Sequence, residues 1–317
     1  MNRHQPSGRR TLGFGLALIT TYFWSVLPII LKALLGSMDA YTLTWYRFGI
    51  AAGILCFYVG FRYGFRVFFS LKRSGFLLGI VCIFGATSNY VTYLLGLEYM
   101  SPGGAQVVIQ LAPVLTLLGG LVLFHESFSK RQWIGFLVLL VGIGLFFNTR
   151  YDDLFSGSNL VVGIFWVAVS ALAAACYALA QKQLLQILTP ESILLLLYLF
   201  GCLMLSPFAH PSQGLQLTEI QMFLVILSAL ITLFSYFCYA SAMKHIEISR
   251  IGLILSLNPL MTVGNMALVA VFLPGFVAPE SLNILSWIGA VLVVFGSMMG
   301  VGRSTKIPAP SHSMASD

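Results

Sequence analysis

The sequence predicts an all-α, polytopic membrane protein in which ten transmembrane helices form two inverted five-helix repeats. Three observations lead to this prediction: an apolar composition, ten apolar segments of membrane-spanning length, and a similarity between the two halves of the chain. Of the 317 residues, 58% are hydrophobic and 9% are charged, whereas a soluble domain has about 25% charged residues. So few charges cannot cover a water-facing surface, and lipid must therefore cover much of it.

Ten segments have the length and apolarity to cross a hydrocarbon core about 30 Å thick, which takes roughly 20 apolar residues per helix. The predicted spans are, in chain order, 12–35, 40–61, 74–97, 101–124, 131–149, 159–185, 191–208, 218–243, 249–273 and 282–302. The first is too long for the apolar region of a signal peptide, so we expect it to remain. The domains are a first repeat over 12–149, a second repeat over 159–302, and tails at 1–11 and 303–317.

Lys and Arg side chains are concentrated in alternate loops. One side of the membrane receives fourteen of the 17, and the other receives only Arg150, while Lys32 and Arg47 lie within spans. The fourteen are Arg3, Arg9, Arg10, Arg62, Arg66, Lys72, Arg73, Lys130, Arg131, Lys182, Lys244, Arg250, Arg303 and Lys306. Because cytoplasmic loops carry the excess of Lys and Arg, both termini are predicted to face the cytoplasm.

The two halves of the chain align with each other at offsets of 146 to 154 residues. The aligned pairs are Tyr90 and Tyr236, Tyr93 and Tyr239, Pro113 and Pro259, Trp133 and Trp287, Ile134 and Ile288, Gly135 and Gly289, and Gly142 and Gly296. Each half has five spans, and because five is odd the second half enters the membrane from the opposite side. Inverted repeats of this kind are typical of transporters, whose solute site lies near the midplane between the repeats.

The aligned stretches resemble the EamA-type repeat that defines the drug/metabolite transporter superfamily. The residues that carry the resemblance are Ala112-Pro113, His125-Glu126 and Gln132-Trp133-Ile134-Gly135, their echo from Asn258-Pro259 to Trp287-Ile288-Gly289, and Trp24, Pro28, Lys32 and Tyr46-Arg47-Phe48 near the start. The resemblance covers about residues 12–302. It implies ten helices, transport of small organic solutes, and a central cavity lined mainly by spans 1, 3, 4, 6, 8 and 9. The chain departs from internal symmetry at Leu199, which stands opposite Arg47, and at an insertion over 273–279.

Arg47 is an ionisable residue about eight residues inside the second span. A charge within a membrane costs roughly 2.5–3.5 kcal/mol on insertion scales, so a function is the default hypothesis. The guanidinium group is suited to hold an anionic group such as a carboxylate. Alternatively, Arg47 ties its helix to a neighbouring helix or extends toward the interface. These interpretations stay open at this point.

One face of the first span is polar, because Thr21, Trp24, Ser25, Pro28 and Lys32 recur at helical spacing. A polar face on a membrane helix is expected to point at a cavity or at a partner helix rather than at lipid. Lys32, which lies one turn inside the end of the span, is also compatible with a simple interfacial anchor.

Spans 4 and 9 carry prolines at equivalent places, accompanied by Gln106, Gln110 and Asn258. A proline removes a backbone donor and leaves the carbonyl one turn earlier without its helical partner. Kinked helices at equivalent places in two halves indicate a transporter site. A packing kink capped by neighbouring side chains is the alternative.

Five tyrosines lie near the middle of spans 3, 6 and 8: Tyr90, Tyr93, Tyr177, Tyr236 and Tyr239. Aromatic belts are expected at the membrane interfaces and not at the midplane. Midplane tyrosines suit an amphipathic solute through stacking and hydroxyl hydrogen bonds, although each one alone fits a packed core equally well. The predicted substrate-binding residues are Trp24, Arg47, Tyr90, Tyr93, Gln106, Gln110, Tyr177, Tyr236, Tyr239 and Asn258.

No catalytic residue, metal site or cofactor is predicted. The spans lack deep Asp, Glu and His residues, which disfavours a midplane proton relay, and the chain has no Walker A, HExxH or GxSxG motif. The net charge of +7 belongs to short loops that orient helices, so we expect no nucleic-acid partner. An intramembrane enzyme, a receptor and a channel are the weaker alternatives, because an enzyme needs convergent reactive groups and the other two need no inverted repeat.

The sequence therefore predicts a secondary transporter that moves a small organic metabolite, such as an amino acid or a related compound, by alternating access. Efflux is the direction that the resemblance implies, and an importer or exchanger of the same fold is the alternative. The expected partners are the lipid bilayer and the solute, and GxxxG spacing such as Gly49/Gly53 leaves a homodimer open. We expect a multi-pass protein of the bacterial inner (plasma) membrane.

Overall fold

The computed structural model describes residues 9–62, 73–124, 129–155, 158–246, 248–278 and 282–301, which are mostly helical and contain no strand. The α-helices of this part of the chain are α1 Arg10–Leu34, α2 Ala40–Arg62, α3 Arg73–Tyr99, α4 Pro102–Val108, α5 Leu111–Phe124, α6 Lys130–Phe146, α7 Tyr151–Phe155, α8 Asn159–Leu184, α9 Pro190–Leu205, α10 Glu219–His245, α11 Ile248–Leu255, α12 Asn258–Phe272 and α13 Ile284–Val301. Short 3-10 turns cover Asn148–Arg150 and Pro211–Gln216. The sequence interpretation also used His125, Glu126, Glu280 and most of both tails, which lie outside the described residues.

Several of these helices are long and apolar enough to cross a membrane. Six stretches of the described chain meet this description by length and composition: Arg10–Leu34, Ala40–Arg62, Gly75–Tyr99, Asn159–Leu184, Glu219–Tyr239 and Ile251–Phe272. Pro190–Leu205 and Ile284–Met299 are shorter apolar helices. Large apolar side chains cover the outside of the bundle, for example Phe57, Phe84 and Phe165. This surface suits a lipid environment and confirms that the chain is a helical membrane protein.

The predicted spans 4 and 9 are each broken into two helices at equivalent places. The first break separates α4, which ends at Val108, from α5, which begins at Leu111. The second separates α11, which ends at Leu255, from α12, which begins at Asn258. Each break begins four residues or fewer before a proline, Pro113 in the first case and Pro259 in the second. A proline has no backbone N–H group, so one hydrogen bond of the regular helix is missing at each place. The structure thus confirms the irregularity that the prolines predicted.

The ends of the other helices follow ordinary capping rules. Ser129 and Gln132 form a capping box at the start of α6, and Thr218 and Gln221 form one at the start of α10. These side chains satisfy backbone N–H groups that have no helical partner. The predicted span 5 was too long at its end, because the chain leaves α6 at Phe146 and turns through a 3-10 segment into the short helix α7.

Helices of the first half pack against helices of the second half. The largest contacts join α3 to α8, α6 to α13, α1 to α10 and α2 to α9. The pair α2 and α9 is antiparallel, because Trp45 bonds Ser206 near one end while Phe48 stacks on Tyr198 further along. The pair α6 and α13 is antiparallel as well, since Gly142 lies against Gly289 whereas Leu139, earlier in α6, lies against Gly296, later in α13. The core is therefore formed mainly between the halves rather than within each one.

Contact between α6 and α13 depends on glycines that let the two backbones touch. A Cβ atom added at Gly142 would lie 2.7 Å from the Val293 amide nitrogen and 2.8 Å from the Gly289 carbonyl oxygen. A Cβ added at Gly296 would lie 2.5 Å from the Leu139 amide nitrogen. Because the opposing atoms belong to backbone, they cannot move away as a flexible side chain could. Small residues at helix interfaces allow this close approach in membranes.

We expect Gly142→Ala to destabilise the protein by about 1–3 kcal/mol, the usual cost of forcing a methyl group into a packed interior. The matched control is Gly144→Ala on the same helix, where an added Cβ meets no atom within 4 Å. The melting temperature of each variant is measured in detergent from the loss of monodisperse protein on heating. Equal melting temperatures for the two variants would contradict the close packing of α6 on α13.

Candidate functional site

Aromatic side chains from α1 and α10 meet in the middle of the bundle. The ring of Trp24 lies 5.2 Å from that of Tyr236 and 5.6 Å from that of Tyr239, measured between centroids. The indole Nε1 of Trp24 donates a hydrogen bond to Ser235 Oγ at 2.8 Å, which fixes the orientation of the ring. Three residues that the sequence singled out are therefore in direct contact.

Tyrosines from α3, α8 and α9 extend this group. Tyr177 and Tyr198 are buried in the same apolar cluster against which Tyr90 and Tyr236 pack. We call Trp24, Tyr90, Tyr177, Tyr198, Tyr236 and Tyr239 the central aromatic cluster. Tyr90, Tyr236 and Tyr239 keep part of their surface accessible, whereas Tyr177 and Tyr198 are buried.

Arg47 adjoins the cluster from α2 and is 2% exposed. Its Nη2 donates to Thr232 Oγ1 on α10 at 2.7 Å, and its guanidinium carbon lies 5.4 Å from the centroid of the Tyr90 ring. Its Nε and Nη1 atoms are buried and make no hydrogen bond within the described residues. A buried guanidinium stacked on a tyrosine is favourable, but two unused donors are costly in an apolar interior.

Gln106 has a structural role that the sequence interpretation did not assign to it. Pro28 lacks a backbone N–H, so the Trp24 carbonyl four residues earlier has no helical donor. Gln106 Nε2 on α4 donates to this carbonyl oxygen at 3.2 Å. The amide therefore satisfies the carbonyl that Pro28 leaves without a donor in α1.

The two broken spans are joined to each other and to α1. Gln110 lies in the first break and donates through Nε2 to the carbonyl oxygen of Ser256 in the second break, at 3.2 Å. Thr262 Oγ1 on α12 donates to the Ser25 carbonyl oxygen at 3.0 Å. Asn258 is 8% exposed, and its Oδ1 is buried without a partner in the described chain. The breaks thus lie together in the interior, with one amide oxygen unused.

The structure brings most of the predicted residues together but not all of them. Tyr93 packs in the neighbouring apolar cluster that contains the ends of α1, α3 and α4, rather than in the central aromatic cluster. Thr232, Ser235 and Tyr198 contact the site and were missed. The spacing of Ser228, Thr232, Ser235 and Tyr239 along α10 repeats every three to four residues, so a polar helical face was a readable signal.

Comparison with known proteins agrees with the fold. The EamA-like transporter family matches residues 11–148 and again residues 161–301. An uncharacterized transporter of Haemophilus influenzae is 34% identical over 302 residues, covering 95% of this chain and 98% of the relative. The uncharacterized inner membrane transporter YhbE of Escherichia coli K12 is 33% identical over 291 residues, covering 90% of each chain. A crystal structure of a protein that is 18% identical to this chain superposes with a TM-score of 0.62. The match covers 92% of this chain and 97% of that chain, and at this identity it supports the fold alone.

These findings define the protein as a membrane transporter. More particularly, the chain belongs to the EamA-like transporter family, as the resemblance of its sequence motifs predicted.

Replacing Gln106 with Leu is expected to destabilise the protein by about 1–3 kcal/mol, because it leaves the Trp24 carbonyl buried without a donor. The change Pro28→Ala restores a backbone N–H for that carbonyl. The same Gln106→Leu replacement should therefore cost clearly less in the Pro28→Ala background. A double-mutant cycle on thermal stability measures the difference, and an equal cost in both backgrounds would show that Gln106 does not cap this carbonyl.

Proposed function

We propose that the protein is a secondary transporter with ten transmembrane helices, formed by two inverted repeats over 12–149 and 159–302, that works by alternating access. Two family matches along one chain support the duplication. The helix pairs α2/α9 and α6/α13 join corresponding members of the two halves and are antiparallel, as inversion requires. Broken helices at equivalent places, joined by Gln110 and Ser256, are typical of the solute site of such transporters.

We further propose that both termini face the cytoplasm in the inner membrane of a bacterium. The support is the concentration of Lys and Arg in alternate loops, because such residues stay on the cytoplasmic side. One relative is named an inner membrane transporter. With this orientation α1 crosses from the cytoplasm outward, and the segment that contains α7 lies outside.

The proposed cargo is a small organic metabolite, such as an amino acid or a related compound, and the proposed direction is efflux. The observation that carries this proposal is the accessible surface that tyrosines of the central aromatic cluster retain, together with the Nε and Nη1 atoms of Arg47, which are buried and make no hydrogen bond within the described residues. Tyrosine and tryptophan rings offer stacking surface, and their polar atoms offer hydrogen bonds. Arg47 offers a positive charge to a carboxylate. Trp24, Tyr90, Tyr177, Tyr236 and Tyr239 would surround the rest of the solute.

The residues outside this cluster take supporting roles in the proposal. Gln106 and Gln110 each use one amide N–H on a backbone carbonyl, so the second N–H and the side-chain oxygen of each remain for a solute. Tyr93 follows Tyr90 by three residues on α3, and Asn258 begins α12; a solute would pass these side chains as the halves rearrange.

Arg47→Gln is expected to lower the uptake of carboxylate solutes into proteoliposomes at least tenfold, because it removes the charge that meets the carboxylate. Arg47→Lys should retain part of the activity. The matched control is Thr232→Val, which removes the bond from Arg47 on α2 and the bond from Thr232 Oγ1 to the Ser228 carbonyl oxygen within α10, but keeps the charge of Arg47. If Thr232→Val reproduces the loss seen with Arg47→Gln, Arg47 acts as a tie between helices and not as a binding residue. The readout is accumulation of labelled, chemically unchanged solutes from a mixed panel.

Inversion of the repeats is expected to place Arg9 and Asp152 on opposite faces of the membrane. In a variant without native cysteines, Asp152→Cys should react with a membrane-impermeant maleimide on intact cells, as should Leu215→Cys, which is 90% exposed. Arg9→Cys should react only after permeabilisation. Labelling of Arg9→Cys and Asp152→Cys from the same face would refute the inverted arrangement.

A further inference from the structure

A cavity of about 690 Å³ opens at the end of the bundle where α1, α3 and α6 finish. Its wall includes Lys32, Glu98, Arg150 and Asp153 together with aromatic side chains such as Phe146. No member of the central aromatic cluster lines it, so it is a separate site, which we call the Lys32 cavity. Its volume is within the range of small-molecule sites, roughly 300–1,000 Å³.

Two of the four charges in the Lys32 cavity already meet each other. Arg150 Nε lies 3.2 Å from Asp153 Oδ2, three residues further along the chain. The other two charges do not form such a pair. Lys32 Nζ donates to the carbonyl oxygens of Leu97 and Glu98, at 2.6 and 2.9 Å, which are neutral acceptors at the end of α3.

Lys32 and Glu98 therefore present opposite charges that are not spent on each other. Within the described part of the chain, neither has an ion-pair partner within 4.0 Å, although each is near enough to feel the charge of the other. An ammonium group has three N–H donors, so Lys32 retains one after serving two carbonyls. The two bonds to the end of α3 hold the ammonium group in place, which prepares it to receive a ligand.

The distribution of charge along the chain singles out the same place. Outside the spans, the face of the membrane opposite the termini holds a single Lys or Arg, Arg150. That residue and Lys32 both line the cavity. The cavity wall carries two cations and two anions, and because Arg150 and Asp153 pair with each other, Lys32 and Glu98 are the two opposite charges that stay apart. Such a wall favours a dipolar ligand over one that carries a net charge.

We propose that the Lys32 cavity is a second binding site, in which a zwitterionic solute rests with its carboxylate on Lys32 and its ammonium group on Glu98. This inference rests on the proposed transport function. It adds a second binding site to the path of the solute, separate from the central aromatic cluster. Phe146, Phe147 and Phe276 provide an apolar wall for the side chain of the solute.

The test compares leucine with its methyl ester and its N-acetyl derivative, which lack one charge each. An environment-sensitive fluorophore on Thr149→Cys, in a variant without native cysteines, reports occupancy of this cavity because Thr149 lines it. We expect Lys32→Gln and Glu98→Gln each to raise the half-saturating leucine concentration roughly three- to tenfold, the size of one partly exposed ion pair. The half-saturating concentration of the ester should not change in Lys32→Gln, because the ester has no carboxylate. That of N-acetyl-leucine should not change in Glu98→Gln, because it has no ammonium group.

Lys130→Gln is the matched control, because Lys130 begins α6 at the end opposite Phe146 and does not line the cavity, so the leucine titration should change less than twofold. The proposal is overturned if the wild-type protein shows no leucine-dependent signal, or if Lys32→Gln weakens leucine and its ester equally, which would assign Lys32 to holding the end of α3 alone. A transport assay in proteoliposomes with the same variants distinguishes a failure of this proposal from a failure of the proposed transport function. Transport that persists while the fluorescence test fails removes only the Lys32 cavity, whereas absence of transport for every solute removes the proposed function.

Discussion

The structure depends on one constraint: a backbone carbonyl or N–H group inside a lipid bilayer must find its partner within the protein. Pro28 and the two breaks in spans 4 and 9 interrupt the regular backbone bonding, and side chains from other helices bond carbonyls at these places. Gln106 bonds the carbonyl that Pro28 leaves without a donor, and Gln110 bonds the carbonyl of Ser256. Each of these bonds joins different helices, so each broken place is also a joint between them.

The position of the breaks explains why the interior is polar at all. Irregular backbone at membrane depth is tolerated where it is buried in protein or lines a cavity. Here the two breaks lie together, beside helices that carry the rings of the central aromatic cluster. The amides of Gln106 and Gln110 serve backbone carbonyls there, but Nε and Nη1 of Arg47 and Oδ1 of Asn258 are buried without a partner in the described chain, which is a cost that packing alone does not repay. The proposed solute site would account for that cost.

Arg47 and Lys32 illustrate two ways in which a membrane protein holds a positive charge. Arg47 is enclosed, stacked on Tyr90 and bonded to Thr232, with donors left over. Lys32 is half-buried near the end of its helix and bonds main-chain carbonyls at the end of α3, where the helix dipole favours a cation. Both charges help to hold neighbouring helices, and both keep hydrogen-bonding capacity that these contacts do not use.

The sequence by itself determined the helical membrane class, the breaks near Pro113 and Pro259, and membership of the EamA-like family, because apolar length, missing backbone donors and repeat motifs are local properties of a chain. It also grouped Trp24 with the tyrosines of spans 3 and 8. Only the tertiary structure decided that Gln106 serves the Trp24 carbonyl, that Tyr93 lies outside the cluster, and that Thr232 meets Arg47. The physical reason is that periodicity shows which residues share a helix face, whereas the rotation of each helix against its neighbours is set by packing between distant segments, such as Gly142 on Gly289.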